Sequence, residues 1–261
     1  MLTPMHKPDV DDFFVEIEAS AALIADIIST HDPDLPVPTC PDWTLRHLAT
    51  HIGRVHRWAA EIVTTRATDR ISFDSVPDGR YPAAVADRAA WIRAGAARVI
   101  EVIKAADDEP VWTFGRLAPA SFWARRQAHE TAMHRVDAQL SVGRMVELDP
   151  DLATDGIDEW LEMVTRYRGR DGVTQALPPG TALHLLANGQ DGDEASAEWV
   201  IRRAGEGLSL QRGPGVADVS VSGPADRLLL ALVRRVAADE ASLAITGDAA
   251  LFSGWLAGTP F

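Results

Sequence analysis

The chain has 261 residues, with 25 Lys+Arg against 38 Asp+Glu and a formal net charge of −13. That length suffices for one large domain or two modest ones with real cores, and 46% hydrophobic with 24% charged residues excludes a disordered or fibrous chain. A pI near 5.0 argues against nucleic acid and anionic membrane surfaces as partners, because both are bound through clustered Lys and Arg; the single cysteine, Cys40, excludes an internal disulfide and a cysteine-based zinc cage.

The opening stretch MLTPMHKPDVDDFF lacks an apolar signal core and an Arg-rich amphipathic character. No run reaches the ~18 apolar residues of a membrane span, so a cytoplasmic location is expected. Helical period then dominates. Residues 11–30 place Phe13, Ile17, Ala21, Ile24, Ile27 and Ile28 on one stripe, and the proline-rich PDLPVPTCPDW ends it. Residues 44–65 align Leu45, Leu48, Ile52, Val55, Ala59 and Ile62. After the loop FDSVPDGRYP, a third segment at 83–106 carries Val85, Trp91, Ile92, Val99 and Ile103. The stretch DDEPVWTFGRLAP reads as a connection to a fourth, 121–142, with Phe122, His129, Met133, Val136 and Leu140. Four amphipathic helices separated by breakers predict a four-helix bundle.

Beyond about residue 150 the texture changes. A fifth helix is expected at 153–168, a basic turn at 166–172, and short strands in TALHLLANG, AEWVIRRAG, GLSLQRG and ADVSVSG. A helix at 225–236, a strand in SLAITG and a final helix to Leu256 complete the pattern. The fold class is therefore α+β in two domains, an all-helical 1–148 and a small α+β unit 149–261.

Five of the eight histidines fall in HLATHIGRVH (47–56) and HETAMH (129–134). At about 100° per residue, Glu130 and His134 lie some 40° apart on one face, and Asp137 continues their stripe. His51 shares a stripe with Thr44, Leu48, Val55 and Trp58. Two helices can thus aim His51, Glu130 and His134 into one interior, as an N/O ligand set that suits zinc with a position left open. The same pattern also arises from a plain Glu–His ion pair and a hydrogen-bonded core histidine. A zincin motif is excluded because position 133 is Met, and His129 lies about 140° from His134. His47, His56 and His129 read as structural, Trp58, Trp91 and Trp123 as core or pocket lining, and Cys40 as a buried thiol rather than a nucleophile. Asp137 divides between an orienting partner of the ligands and a surface ion pair.

Together, TCPDWTLRHLATHIGRVHRWAAEIV and WARRQAHETAMHRVDAQ resemble the mycothiol-dependent maleylpyruvate isomerase family, whose N-terminal half is a DinB-like metal-binding bundle. The later stretch GPADRLLLALVRRVAADEASLAITGDAALFSGWL is similar to that family's C-terminal domain, a small unit like sterol carrier proteins. The resemblance implies zinc or another divalent metal held by His51, Glu130 and His134, and mycothiol as thiol cosubstrate. It also implies a functional arginine, best matched by Arg235, with Arg234 where the family usually has glycine. The implied reaction is thiol addition to an electrophilic small molecule, as a cis–trans isomerase or an S-transferase, with Arg235 clamping a carboxylate beside the metal. The alternatives are a non-catalytic metal- or lipid-binding module and a metal-dependent hydrolase. A monomer is favoured.

Overall fold

A computed structural model describes residues 7–107, 109–166, 173–188, 195–205 and 207–259. They form two compact units, dividing at Val146/Glu147. Among the described residues no helix is long and apolar enough to cross a membrane. The expected basic turn lies outside the described residues beyond Arg166.

The first unit is the expected bundle of α1 (Val10–Thr30), α2 (Leu45–Thr64), α3 (Val85–Ala105) and α4 (Ser121–Ser141). Helix α1 packs mainly on α3 and α4, and α2 on the same two. The predicted stripes of α1 and α2 are all buried, whereas Val85 at the start of α3 is 58% exposed. Asp9 caps α1 by accepting from Asp11 N and Asp12 N, which relieves the unpaired amides of the first turn. Helix α2 meets α3 at Gly53, where a Cβ would stand 2.0 Å from the Trp91 ring, so only glycine lets the two helices approach this closely. Arg57 adds to this contact, with its guanidinium 4.3 Å from the Trp91 ring centroid and donating to both Gly53 O and Trp91 O.

The bundle differs from expectation in the connection before α4. Val111–Thr113 (β1) and Arg116–Ala118 (β2) form a two-stranded antiparallel hairpin around Phe114-Gly115. Three-residue strands carry too little alternation to stand out from a loop by period alone. The segment 36–44 is likewise ordered, with Val37 N donating to Trp43 O at 2.9 Å and Leu45 N to Leu35 O at 3.0 Å. Those bonds fold TCPDW back against the start of α2.

The second unit has α5 (Pro150–Arg166), β3 (Ala182–Asn188), β4 (Ala195–Ala204), β5 (Gly207–Arg212), β6 (Val219–Pro224), α6 (Ala225–Leu232), β7 (Ala244–Gly247) and α7 (Ala249–Gly258). The strands make one sheet in the order β5-β4-β3-β6-β7, with only β3 and β6 parallel. Alternation sends Leu183, Leu185, Val219, Val221, Trp199 and Ile201 into the core at 0–2% exposure. Arg212 fastens β5 to α5 by a two-pronged contact with Asp158 at 2.6 and 2.7 Å. Helix α6 ends at Leu232 rather than 236, because Arg234 turns to φ 59° and Arg235 N bonds back to Leu230 O.

Candidate metal centre

The bundle brings His51, Glu130 and His134 together. One ligand atom from each lies within 4.8 Å of the other two. His51 Nε2 is 2.9 Å and His134 Nε2 3.5 Å from the same oxygen, Glu130 Oε1. Ligand bonds of about 2.1 Å in a tetrahedral site place donor atoms about 3.4 Å apart, so small shifts suffice for all three to hold one ion. The pair on α4 meets because i and i+4 share a helix face, and His51 reaches it across the α2–α4 seam. The His51 side chain is 33% exposed against 6% for His134, so the group opens toward solvent on the His51 side.

Two of the three side chains are also held by a neighbour outside the group. Arg126, one turn before Glu130, donates to Oε2 at 2.6 Å, which leaves Oε1 for the imidazoles. Burial alone would raise the Glu130 pKa; the Arg126 charge and hydrogen bonds from His134 and His51 outweigh it and hold the carboxyl well below its usual range. Asp137 Oδ2 accepts from His134 Nδ1 at 2.9 Å, and its other oxygen accepts from Thr39 Oγ1 at 2.5 Å. Asp137 is 0% exposed, which rejects the surface ion-pair reading. Burial works against a charged His134, but hydrogen bonds to Asp137 and Glu130 prevail and raise its pKa to about 9.

Cys40 is half-buried rather than buried, and its Sγ approaches Asp137 Oδ2 at 3.6 Å. Cys40, His134 and Asp137 thus form a second trio of ligand atoms within 4.8 Å, but His134 Nδ1 and both Asp137 oxygens are already engaged in hydrogen bonds. Trp43 stacks on His134 with ring centroids 5.7 Å apart and lies 5.1 Å from His51. It walls the imidazoles with an apolar surface. The remaining histidines stay outside the group. His47 Nδ1 accepts from Thr44 N at the start of α2, and His129 packs edge-on against Phe13. His56 is fully buried; the Thr131 hydroxyl donates to Gln127 O, so His56 Nε2 donates to Thr131 Oγ1 at 2.8 Å.

Trp43, Thr39 and Arg126 are the site residues that spacing did not single out. Trp43 and Thr39 come from the proline-rich loop, where period gives no signal. Arg126 was accessible, since an Arg-x-x-x-Glu pair shares a helix face.

The comparisons with known proteins bear on this geometry. Residues 14–139 match the family model described as mycothiol maleylpyruvate isomerase N-terminal domain, and 151–254 match the C-terminal domain of the same isomerase. The chain belongs to the mycothiol maleylpyruvate isomerase family. Two solved structures share the fold across both domains: the mycothiol-dependent maleylpyruvate isomerase, at TM-score 0.59, and a histidine-to-alanine mutant of it, at 0.61. Each is 15% identical and covers 95% of this chain and 97% of its own. A ubiquinone synthesis protein, UbiJ-SCP2, matches 44% of the chain at TM-score 0.28, too distant to carry an argument. No curated protein matches.

Arg235 lies in the second unit, 8% exposed, with Nη1 donating to Val233 O at 3.0 Å. Its predecessor Arg234 stands at φ 59°, in the left-handed region that favours glycine.

Proposed function

We propose that this protein is a divalent-metal enzyme, with zinc the expected ion, that activates mycothiol for addition to an electrophilic small molecule. The observation that carries the reading is the convergence of His51, Glu130 and His134 on one point, in a chain of the maleylpyruvate isomerase family. Two imidazole nitrogens and one carboxylate oxygen are the donor set of a catalytic zinc with an open position. When bound there, the metal supplies a Lewis acid that lowers a thiol's pKa from ~8.5, so that thiolate is present at neutral pH.

The chain's own residues set the rest. Arg126 keeps Glu130 on one oxygen, and Asp137 fixes which His134 nitrogen is free to bind. Trp43 keeps water from one side of the imidazoles. The thiolate sulfur adds to an activated C=C bond, a proton neutralises the resulting carbanion, and the carbon–carbon bond becomes free to rotate. Reversal of these steps, with thiolate leaving, gives a cis–trans isomerase; retention of the C–S bond gives an S-transferase. Arg235 is assigned to clamp a substrate carboxylate, which suits the planar guanidinium fork. The domains are assigned as 1–148 for metal and 149–261 for that clamp. The hydrolase alternative requires a carboxylate base, and Asp137 is fully buried behind His134; the lipid-binding alternative gains no observation.

Incubating the zinc-loaded protein with mycothiol and a panel of electrophiles, with mass spectrometry of adducts and isomers, tests the reading. Thiol-dependent conversion supports it; conversion that proceeds equally without thiol refutes it. Arg235→Lys is expected to reduce turnover with metal content unchanged.

A further inference from the structure

Six non-glycine residues have positive φ among the described residues, and Phe114 is the one aromatic among them. It stands at φ 45° beside Gly115 at φ 91°, so both central residues of the β1–β2 turn occupy the left-handed region. Such turns normally take Asn-Gly or Asp-Gly, because a Cβ bearing a bulky group crowds the backbone there. A phenylalanine held in this conformation carries strain, and strain points to a role for the side chain.

Packing engages only part of the ring, against Phe122 at 6.1 Å and three tryptophans. The ring centroid is 5.4 Å from Trp123, 5.7 Å from Trp112 and 6.3 Å from Trp58, yet Phe114 remains 39% exposed. On the same Trp58, half-buried Phe73 stacks at 4.7 Å and carries the Arg54 guanidinium 5.7 Å from its own centroid. Arg54 in turn pairs with Asp74 at 3.3 Å. Trp58 thus contacts two part-exposed rings, Phe114 and Phe73, the second of them next to a guanidinium.

Its position relates it to the candidate metal centre. Trp58 follows His51 by seven residues on α2, and Trp123 precedes Glu130 by seven on α4. Each pair shares a helix face about 10 Å apart along the axis. The two tryptophans meet at 5.3 Å as His51 and Glu130 meet at 2.9 Å, so both groups lie on one α2–α4 seam, two turns apart.

We propose that Phe114, Phe73 and Arg54 form a subsite for the polyhydroxylated rings of a low-molecular-weight thiol whose sulfur lies at the metal centre. One face of such a ring presents C–H groups to the negative face of an aromatic, and its hydroxyls can hydrogen-bond with Arg54 and Asp74. The inference rests on the thiol reading above. A linker of several bonds of about 1.5 Å between the sulfur and such a ring covers the two helical turns, about 10 Å, that separate the metal centre from the tryptophan pair.

The test compares dissociation constants of mycothiol and of N-acetylcysteine, which has the thiol without rings, in zinc-loaded wild type, Phe114→Asn and Phe114→Tyr. Asparagine tolerates the left-handed backbone, and thermal melts check that both variants are folded. The expected result is tighter binding of mycothiol than N-acetylcysteine by wild type. Phe114→Asn should weaken mycothiol about tenfold, roughly the discrimination worth 1.4 kcal/mol, and leave N-acetylcysteine unchanged; Phe114→Tyr should retain wild-type affinity. Equal affinity of wild type for both thiols, or an equal loss for both in Phe114→Asn, overturns the subsite alone. A wild type that binds neither thiol overturns the thiol reading and the subsite with it.

Discussion

Asp137 Oδ2 sits 2.9 Å from His134 Nδ1, three residues along the same helix and completely buried. That hydrogen bond holds the imidazole with Nε2 directed at Glu130, and Thr39 anchors the opposite oxygen of Asp137. Asp137→Asn should therefore lower metal affinity by about 10–100-fold, the usual cost of losing a carboxylate behind a histidine ligand. Competition with a chelator of known affinity measures it. Unchanged affinity would show that the bond does not orient His134.

Arg126 is 6% exposed and donates to Glu130 at 2.6 Å. Replacing it with methionine leaves Glu130 only the two imidazoles as partners, and losing a hydrogen bond to a charged group typically costs about 1.5–3 kcal/mol. The metal-free Arg126→Met protein should show that loss in denaturant titration, while added zinc recovers part of it by supplying the missing positive charge. A loss that zinc does not reduce would argue that Glu130 is not a ligand.

His56 gives a pH dependence of known sign. Burial, then the neighbouring Arg57 charge, lowers its pKa from 6.5 to about 3. Below pH 6.5 the unfolded chain takes up a proton at this residue that the folded chain refuses, so stability falls as pH drops toward 3. The slope from this group approaches about 1.4 kcal/mol per pH unit. Denaturation at pH 7, 6 and 5 should show a shallower decline for His56→Leu than for wild type. Identical slopes would contradict the assignment.

Gly53 fixes how closely α2, which carries His51, packs on α3. A methyl at this position meets the Trp91 ring at 2.0 Å, so Gly53→Ala should destabilise the bundle by about 1–3 kcal/mol through overpacking. Thermal melting of the variant tests this, and an unchanged midpoint would show that Trp91 moves freely.

Much of this architecture was legible in the sequence because its signals are periodic. The stripes of α1 and α2 and the period-two run in β6 give both element type and buried face. The candidate ligands were legible for the same reason: helical angles put Glu130 and His134 on one face and His51 on an inward stripe. What stayed hidden depends on tertiary contact. The β1–β2 hairpin has strands too short for a period, and Trp43 reaches the site through a loop set by backbone hydrogen bonds. Helix α4 hides more still. It buries Arg126, Gln127, Thr131, Arg135 and Asp137 along with its apolar residues, so polarity did not mark its exposed face, and Asp137 stood open between two readings.

The central claim is that His51, Glu130 and His134 together hold a divalent metal. The most direct measurement is zinc content per chain, by elemental mass spectrometry after zinc loading and exhaustive dialysis, of wild type and the three single alanine variants. The account predicts about one zinc per chain for wild type, consistent with a single site of three protein ligands, and loss of most of it in each folded variant. Wild type without zinc, or a His51→Ala protein that retains it fully, would contradict the account.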